Sequence, residues 1–514
     1  MRDKKIIMFL LGQATAAMTL AFLLPISYAL LHSHFDNAAF FAKLAIVSAM
    51  ITSAFFYLGR GHRRRIEVVD SAVAMILVFP SMALLGAAPF VLMNQLSPIN
   101  AFLETISDLT AAGVGFLPYI SPFELKLWQA TLMWQGSLFF VVVLVTLLPE
   151  VSGCFGMELS LSQGQIFSPM LGQMKNSARK IASVYSLLTV LSMFLFRLAG
   201  LDDWNALIMA MRCISTGGGE VIGAGNLYVE YAAAFSMLLA CGNFLLYFRL
   251  THIFLPNATE FKAEKSTKNF RRVIHEFAEL LQRNFISNVK TFYSNSEVKF
   301  LSALILIGTL LVFFTVFSKN YITDGNVSFR MAVFHIISFV STTGMTINDI
   351  TAAPDFDRFF LLLLVTVGGC MGSVTGGLKV IRVLVLFKIT AIGISKTIHP
   401  NMMTGIKVNG AVVPAKVIGR ILSFFFLCAI TLFVCAVILS LSGQPFSTSV
   451  VMTLACLTNV GIMPGLCDTS TFLKLPDVMK LFCALIFVVG RMEIFAFLIF
   501  ISSIKFRQEK THWH

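Results

Sequence analysis

Charge is scarce in this chain. Only 13% of its 514 residues are charged, against 57% hydrophobic, and the mean hydropathy is +0.82. Soluble globular chains carry about 25% charge, so a soluble fold is excluded and a polytopic membrane protein is implied. Paired cysteine is missing too. None of the nine Cys forms a CxxC pair and most lie inside apolar runs, so neither a disulfide framework nor a zinc site is indicated, and they suit the role of small core hydrophobes. No acid pair, His cluster or nucleophile motif recurs in the apolar segments, so neither an enzyme nor an organic cofactor is expected. His335 falls in a short amphipathic segment, where a hydrogen-bonded structural role is expected.

Apolar segments of about 20 residues, each enough to cross a bilayer, recur from end to end. The first, 6–31, is too long for a signal-peptide core and lacks a small-x-small cleavage site, so it is kept as a span. A net charge of +13 could suggest nucleic acid, but its distribution argues against that. Basic residues collect in alternate connections, at GRGHRRR (59–65), 175–180, 262–283, 388–420 and 505–510, and the intervening ones hold Asp202, Asp203, Asp349, Asp355, Asp357 and Asp468. This positive-inside pattern predicts a multi-pass protein with both termini cytoplasmic. The RGHRRR run serves as a topology anchor in preference to a lipid-binding site.

The chain repeats itself. Two spans (1–66) precede four units of span, short half-helix, loop and span, at 67–150, 175–255, 299–390 and 416–505. The expected fold is therefore an all-α polytopic membrane protein, with two extra N-terminal spans and four span–pore-loop–span repeats in pseudo-four-fold arrangement around one ion pore. A cytoplasmic connection, 256–298, contains an amphipathic helix around Phe270–Arg283, suited to lie on the membrane surface and compatible with docking a cytosolic subunit. Each unit places a glycine after small or hydroxyl residues: TAAG (110–113), ISTG (214–217), STTG (341–344) and TNVG (458–461). Glycine permits positive φ, so adjacent carbonyls can turn toward a common axis and replace an ion's water. Half-helix C-termini favour a cation there. Glu104, Asp108, Asp202, Asp203, Glu220 and Asp349 are expected in the outer connections, concentrating cations.

A second glycine cluster interrupts an apolar span: Gly368, Gly369, Gly372, Gly376 and Gly377 in VGGCMGSVTGGLKVIR (367–382). These glycines let the helix break, and the Ser373 and Thr375 hydroxyls can cover freed backbone groups. A nucleotide P-loop is excluded, because Leu378 rather than Lys follows the last Gly and Val380 occupies the Ser/Thr place. Lys379 and Arg382 fit topology anchors or gate elements equally. Arg491 lies in the apolar final span, where an unpaired charge is costly and marks a functional candidate; a local ion pair with Glu493 or a backbone-capping role is the structural alternative.

These strings, with CGNFLLYFR (241–249), IHPNMMTGIKVNG (398–410) and GRMEIFAFLIF (490–500), resemble the TrkH/TrkG branch of the Trk–Ktr–HKT superfamily of potassium uptake proteins over nearly the whole chain. The resemblance implies ten spans, four re-entrant loops, a homodimer with one pore per subunit, a bacterial inner-membrane location and a cytosolic TrkA-like NAD/ATP-binding regulatory protein. It implies potassium contacts, mainly through main-chain carbonyls, at Ala111, Ala112 and Gly113; Ser215, Thr216 and Gly217; Thr342, Thr343 and Gly344; and Asn459, Val460 and Gly461. It makes the 368–377 string a gate in the permeation path and Arg491 a cation-repelling barrier below the filter. Ala111 and Ala112 stand where Thr is usual, the second loop ends GGGE, and WQGSLFF (134–140) replaces a WLGGMG-type string; these departures bear on potassium-over-sodium selectivity and leave the pore intact. A less selective potassium/sodium transporter, a proton-coupled potassium symporter and, more remotely, an alternating-access solute transporter stay open as alternatives.

Overall fold

The computed structural model describes residues 4–61, 68–118, 120–146, 174–244, 293–319, 324–348, 353–399, 405–463 and 465–492, with a few further residues between and beyond them. The amphipathic helix expected near 270–283, Asp349, Glu493, most of GRGHRRR and the C-terminal basic run lie outside the described residues.

Helices α1 (Lys4–Ala21) and α2 (Leu23–Leu31) form one nearly continuous span, and α3 (Phe35–Leu58) packs on it. The Thr19 and Ser48 hydroxyls tie the pair at 2.7 Å. The first unit contains α4 (Val68–Gly86), α5 (Ala88–Asn94), the short α6 (Pro98–Leu109) and α7 (Phe123–Thr146). The second contains α8 (Met174–Leu198), the short α9 (Asp203–Ser215) and α10 (Leu227–Cys241). The third contains α11 (Ser296–Ser318), the short α12 (Gly325–Val340) and a broken helix, α13 (Asp355–Val367) and α14 (Val380–Ile398). The fourth contains α15 (Ala415–Ser440), the short α16 (Phe446–Thr458), the single turn α17 (Thr469–Leu473) and α18 (Asp477–Arg491).

Among the described residues, six helices are long and apolar enough to cross a membrane: Lys5–Leu31, Phe35–Leu58, Ile76–Asn94, Ile181–Leu198, Ser296–Ser318 and Ala415–Ser440. Their outer faces stay apolar though exposed, as at Phe314 on α11 and Phe426 on α15; lipid rather than water satisfies such a surface. The described residues are mostly helical, as expected, with one small hairpin besides. A hairpin pairs β1 (Lys407–Val408) with β2 (Ala411–Val412). Its two-residue turn is Asn409-Gly410, with φ of 50° and 82°, and Asn-Gly is the pair that tolerates positive φ at both turn positions. Asn409 Oδ1 accepts the Ser296 N–H at 2.7 Å, docking the hairpin on the start of α11.

The four short helices have defined ends. Ser97, Asp202 and Asp324 cap α6, α9 and α12, each side chain accepting a backbone N–H of the first turn, and Pro445 precedes α16. Such caps satisfy donors that helix starts leave orphaned. The second half of each short helix is buried, and the loop at its C-terminus meets the loops of its two neighbours.

Candidate ion-conduction site

Each short helix ends in the same backbone figure. A residue with left-handed φ follows the helix, at Ala111 (57°), Thr216 (59°), Thr342 (56°) and Asn459 (56°), and two residues later comes a left-handed glycine, at Gly113 (63°), Gly218 (71°), Gly344 (73°) and Gly461 (77°). The residue between them donates its N–H back to the fifth residue upstream: Ala112 to Ser107 O (2.7 Å), Gly217 to Arg212 O (2.9 Å), Thr343 to Ser338 O (2.9 Å) and Val460 to Ala455 O (3.1 Å). This is the helix-ending bond of a Schellman turn. With the N–H drawn back to the helix, the following carbonyl is left facing the loops.

This register corrects one expectation. ISTG suggested Gly217 as the glycine of the second loop, but the left-handed glycine is Gly218. Gly217 corresponds instead to Ala112, Thr343 and Val460, and Ser215 to the last residue before each left-handed turn.

The loops touch in cyclic order. A Cβ on Gly113 would stand 2.0 Å from Gly217 O, one on Gly218 2.6 Å from Thr343 O, and one on Gly461 2.2 Å from Ala112 O. On Gly344 it would stand 2.8 Å from Val460 Cγ1 and 3.6 Å from Val460 O. The missing side chains are what allow this approach. Val460 O accepts the Ile462 N–H at 3.0 Å. Among the described residues no donor reaches the buried carbonyls of Ala112, Gly217 or Thr343. Buried carbonyls without partners are costly, and a dehydrated cation is a partner that this arrangement suits.

Buried polar side chains brace the loops from behind. Glu104 accepts Gln129 Nε2 at 2.7 Å and the Phe116 N–H at 3.0 Å, and Gln129 Oε1 accepts from Arg212 at 3.0 Å. Glu104 and Asp108 are therefore not in an outer connection as expected; both are fully buried in α6. Asp202, Asp203 and Glu220 are exposed. Burial alone would raise the Asp202 carboxyl, but hydrogen bonds from the Asn205 side chain and the N–H groups at the start of α9 outweigh it and hold it below its ordinary value. His335 is buried, and its Nε2 lies 3.4 Å from the Ile347 N–H, consistent with a structural role.

Between α13 and α14 the chain leaves helical form. Gly368, Gly372, Gly377 and, unexpectedly, Lys379 take φ of 70°, 78°, 75° and 74°. The Ser373 hydroxyl donates to Cys370 O (2.6 Å), and Thr375 Oγ1 accepts the Gly369 N–H (3.2 Å), the covering role expected of them. Two further side chains hold the loop: Glu297 accepts the Met371 N–H at 2.5 Å, and Lys379 Nζ donates to Thr375 O. Lys379 is thus a buried part of the loop rather than a topology anchor. Arg382 is also buried, with its guanidinium 4.3 Å from the Phe424 ring centroid.

The interrupted segment meets the four-loop ring. The Gly376 N–H donates to Thr342 Oγ1 at 2.9 Å, and a Cβ on Gly376 would stand 1.8 Å from Thr458 O. Arg491 is buried, with Nη1 donating to Val374 O at 2.9 Å and Nη2 to Ser137 Oγ at 2.7 Å, and its guanidinium lies 4.6 Å from the Phe140 centroid. No carboxylate among the described residues pairs with it. Sequence reasoning missed Ser137, Gln129 and Glu297, whose partners are distant in the chain.

The sequence pattern of the family described as TrkH, cation transport protein, matches residues 38–512. The chain is 26% identical to the Trk system potassium uptake protein TrkH of Halomonas elongata, over 98% of this chain and 99% of that one. It is 27% identical to the Trk system potassium uptake protein TrkG of Escherichia coli, over 95% and 96%. The crystal structure of the potassium transporter TrkH from Vibrio parahaemolyticus superposes with a TM-score of 0.80 at 23% identity, covering 97% of this chain and 98% of that one.

Proposed function

The chain belongs to the TrkH family of cation transport proteins, and from that membership and the loop geometry we propose that it takes up potassium across a bacterial inner membrane through a filter of backbone carbonyls. The family is one of transporters, not enzymes. The observation that carries the reading is the cyclic contact of the four loops, glycine against carbonyl at Gly113, Gly218 and Gly461. Carbonyls at Ala111 and Ala112, Thr216 and Gly217, Thr342 and Thr343, and Asn459 and Val460 would take the place of the ion's water. The membrane potential would drive import, worth about 2.3 kcal/mol per charge per 100 mV.

The segment 368–377 would act as the gate, since it is non-helical and rests on two filter loops. Arg491 would place a fixed positive charge beside it, slowing cations until the gate moves. A cytosolic TrkA-like nucleotide-binding protein would control that movement in a homodimer, and both termini would face the cytoplasm; pull-down with such a regulator and accessibility labelling of the termini test these points.

The test of function is flux in liposomes holding the purified full-length chain, comparing potassium, rubidium and sodium at a set voltage. Potassium and rubidium flux well above sodium is expected. Sodium flux equal to potassium flux contradicts the filter.

A further inference from the structure

The intramembrane segment touches the third and fourth loops directly, at Thr342 and Thr458. Its link to the second loop is different. Val374 O accepts from Arg491 Nη1 at 2.9 Å, Arg491 Nη2 donates to Ser137 Oγ at 2.7 Å, and Ser137 donates to Ser215 O at 2.8 Å. The donor roles are fixed, because a guanidinium only donates, a carbonyl only accepts and a hydroxyl does both. The chain of bonds therefore has one polarity. Ser137 and Ser215 are fully buried and Arg491 is nearly so, and no water competes for such bonds in an apolar interior.

We propose that Ser137 is a positioning residue that couples the gate segment to the filter: its hydroxyl accepts from Arg491 and, beside the Thr216 hydroxyl at 2.6 Å, holds the Ser215 carbonyl. Ser215 is the residue before Thr216 and Gly217, and the Gly217 carbonyl abuts Gly113. When the gate segment withdraws, Val374 leaves Arg491, the guanidinium turns, and Ser137 loses the acceptor bond that orients it. The Ser215 peptide is then less constrained, and with it the carbonyl geometry on which ion choice depends. No comparable hydrogen-bonded tie from the gate segment reaches the first loop among the described residues, so the coupling is asymmetric around the ring.

This inference rests on the proposed potassium function, and its test separates the two. Potassium and sodium fluxes are measured in liposomes for the unaltered full-length chain, Ser137→Ala, Arg491→Ala and the double variant. The expected result is a potassium/sodium ratio lowered by at least about threefold in Ser137→Ala, the low end of what contacting residues show when coupled. Arg491→Ala should lower the ratio with Ser137 present and add nothing further when Ala occupies 137. A Ser137→Ala ratio equal to that of the unaltered chain, or single effects that multiply in the double variant, overturns the coupling and leaves the filter reading standing. Loss of potassium flux in the unaltered chain would instead remove the functional reading on which the coupling depends.

Discussion

The four-loop ring and the break between α13 and α14 are both made with glycine, but to different ends. In the ring, Gly113, Gly218 and Gly461 bring backbone against the backbone of the neighbouring loop, and at Gly344 the Val460 side chain makes the contact. In the break, glycines free the chain from helix, and individual side chains then fasten it: Glu297 at Met371, Lys379 at Thr375, Arg491 at Val374 and Thr342 at Gly376. A ring closed mainly by backbone contact leaves little room for a side chain, which fits the proposed discrimination between ions. A segment fastened by separable side-chain bonds can be released, which suits a gate.

Substitutions should separate the two regions, and the largest effects belong to the ring. Gly113→Ala and Gly461→Ala put a methyl about 2 Å from a neighbouring carbonyl at positive φ, so a rubidium-flux loss on the order of 10- to 100-fold is expected from overpacking of about 1–3 kcal/mol. Gly344→Ala should lose less, because the atom it meets is the end of the Val460 side chain. If all three lose equally, close backbone contact is not what matters. The register of the second loop gives the next test. A Cβ on Gly217 meets the Met133 side chain, whereas one on Gly218 meets Thr343 O; Met133→Ala should therefore rescue flux in Gly217→Ala but not in Gly218→Ala.

Effects in and beside the proposed gate segment should be smaller and opposite in sign. Arg491→Ala is expected to speed potassium flux several-fold, by removing both a charge barrier and a tether. Lys379→Met should also raise basal flux, because it frees the Thr375 carbonyl and hydroxyl that the ammonium binds; slower flux in either would place these residues outside the gate. Smallest of all is the effect expected at the exposed acid Asp202. Asp202→Asn should change flux less than about two-fold at low salt, with the difference vanishing as salt screens the mouth. Because the Asp202 carboxyl is held below its ordinary value, its charge and its cap on α9 are fully present at neutral pH. They are lost only as pH falls through that lowered value, so flux measured from neutral to mildly acid pH should show no titration from this residue.

Local features were legible in the sequence. Pro98 and the amphipathic pattern marked the short helices, and TAAG, STTG and TNVG placed three of the four left-handed glycines. ISTGGGE did not place the fourth, because three consecutive glycines fit any register until φ and the bond from Gly217 to Arg212 O select one. Glu104 and Asp108 resembled mouth charges because acids favour water; Gln129 and the Phe116 N–H, which let Glu104 stay buried, could not be foreseen. Lys379 fitted an anchor or a gate element equally, and its bonds to Thr375, which decide for the loop, follow from the break in the helix. Ser137 carried no signal at all, since its partners Ser215 and Arg491 lie 78 and 354 residues away.

Anomalous diffraction from rubidium- or thallium-soaked crystals tests the ring most directly. A peak enclosed by the carbonyls of Ala112, Gly217, Thr343 and Val460 is the predicted result. Ordered ions found only away from these four oxygens, or the four oxygens found at different depths along the pore, would contradict it.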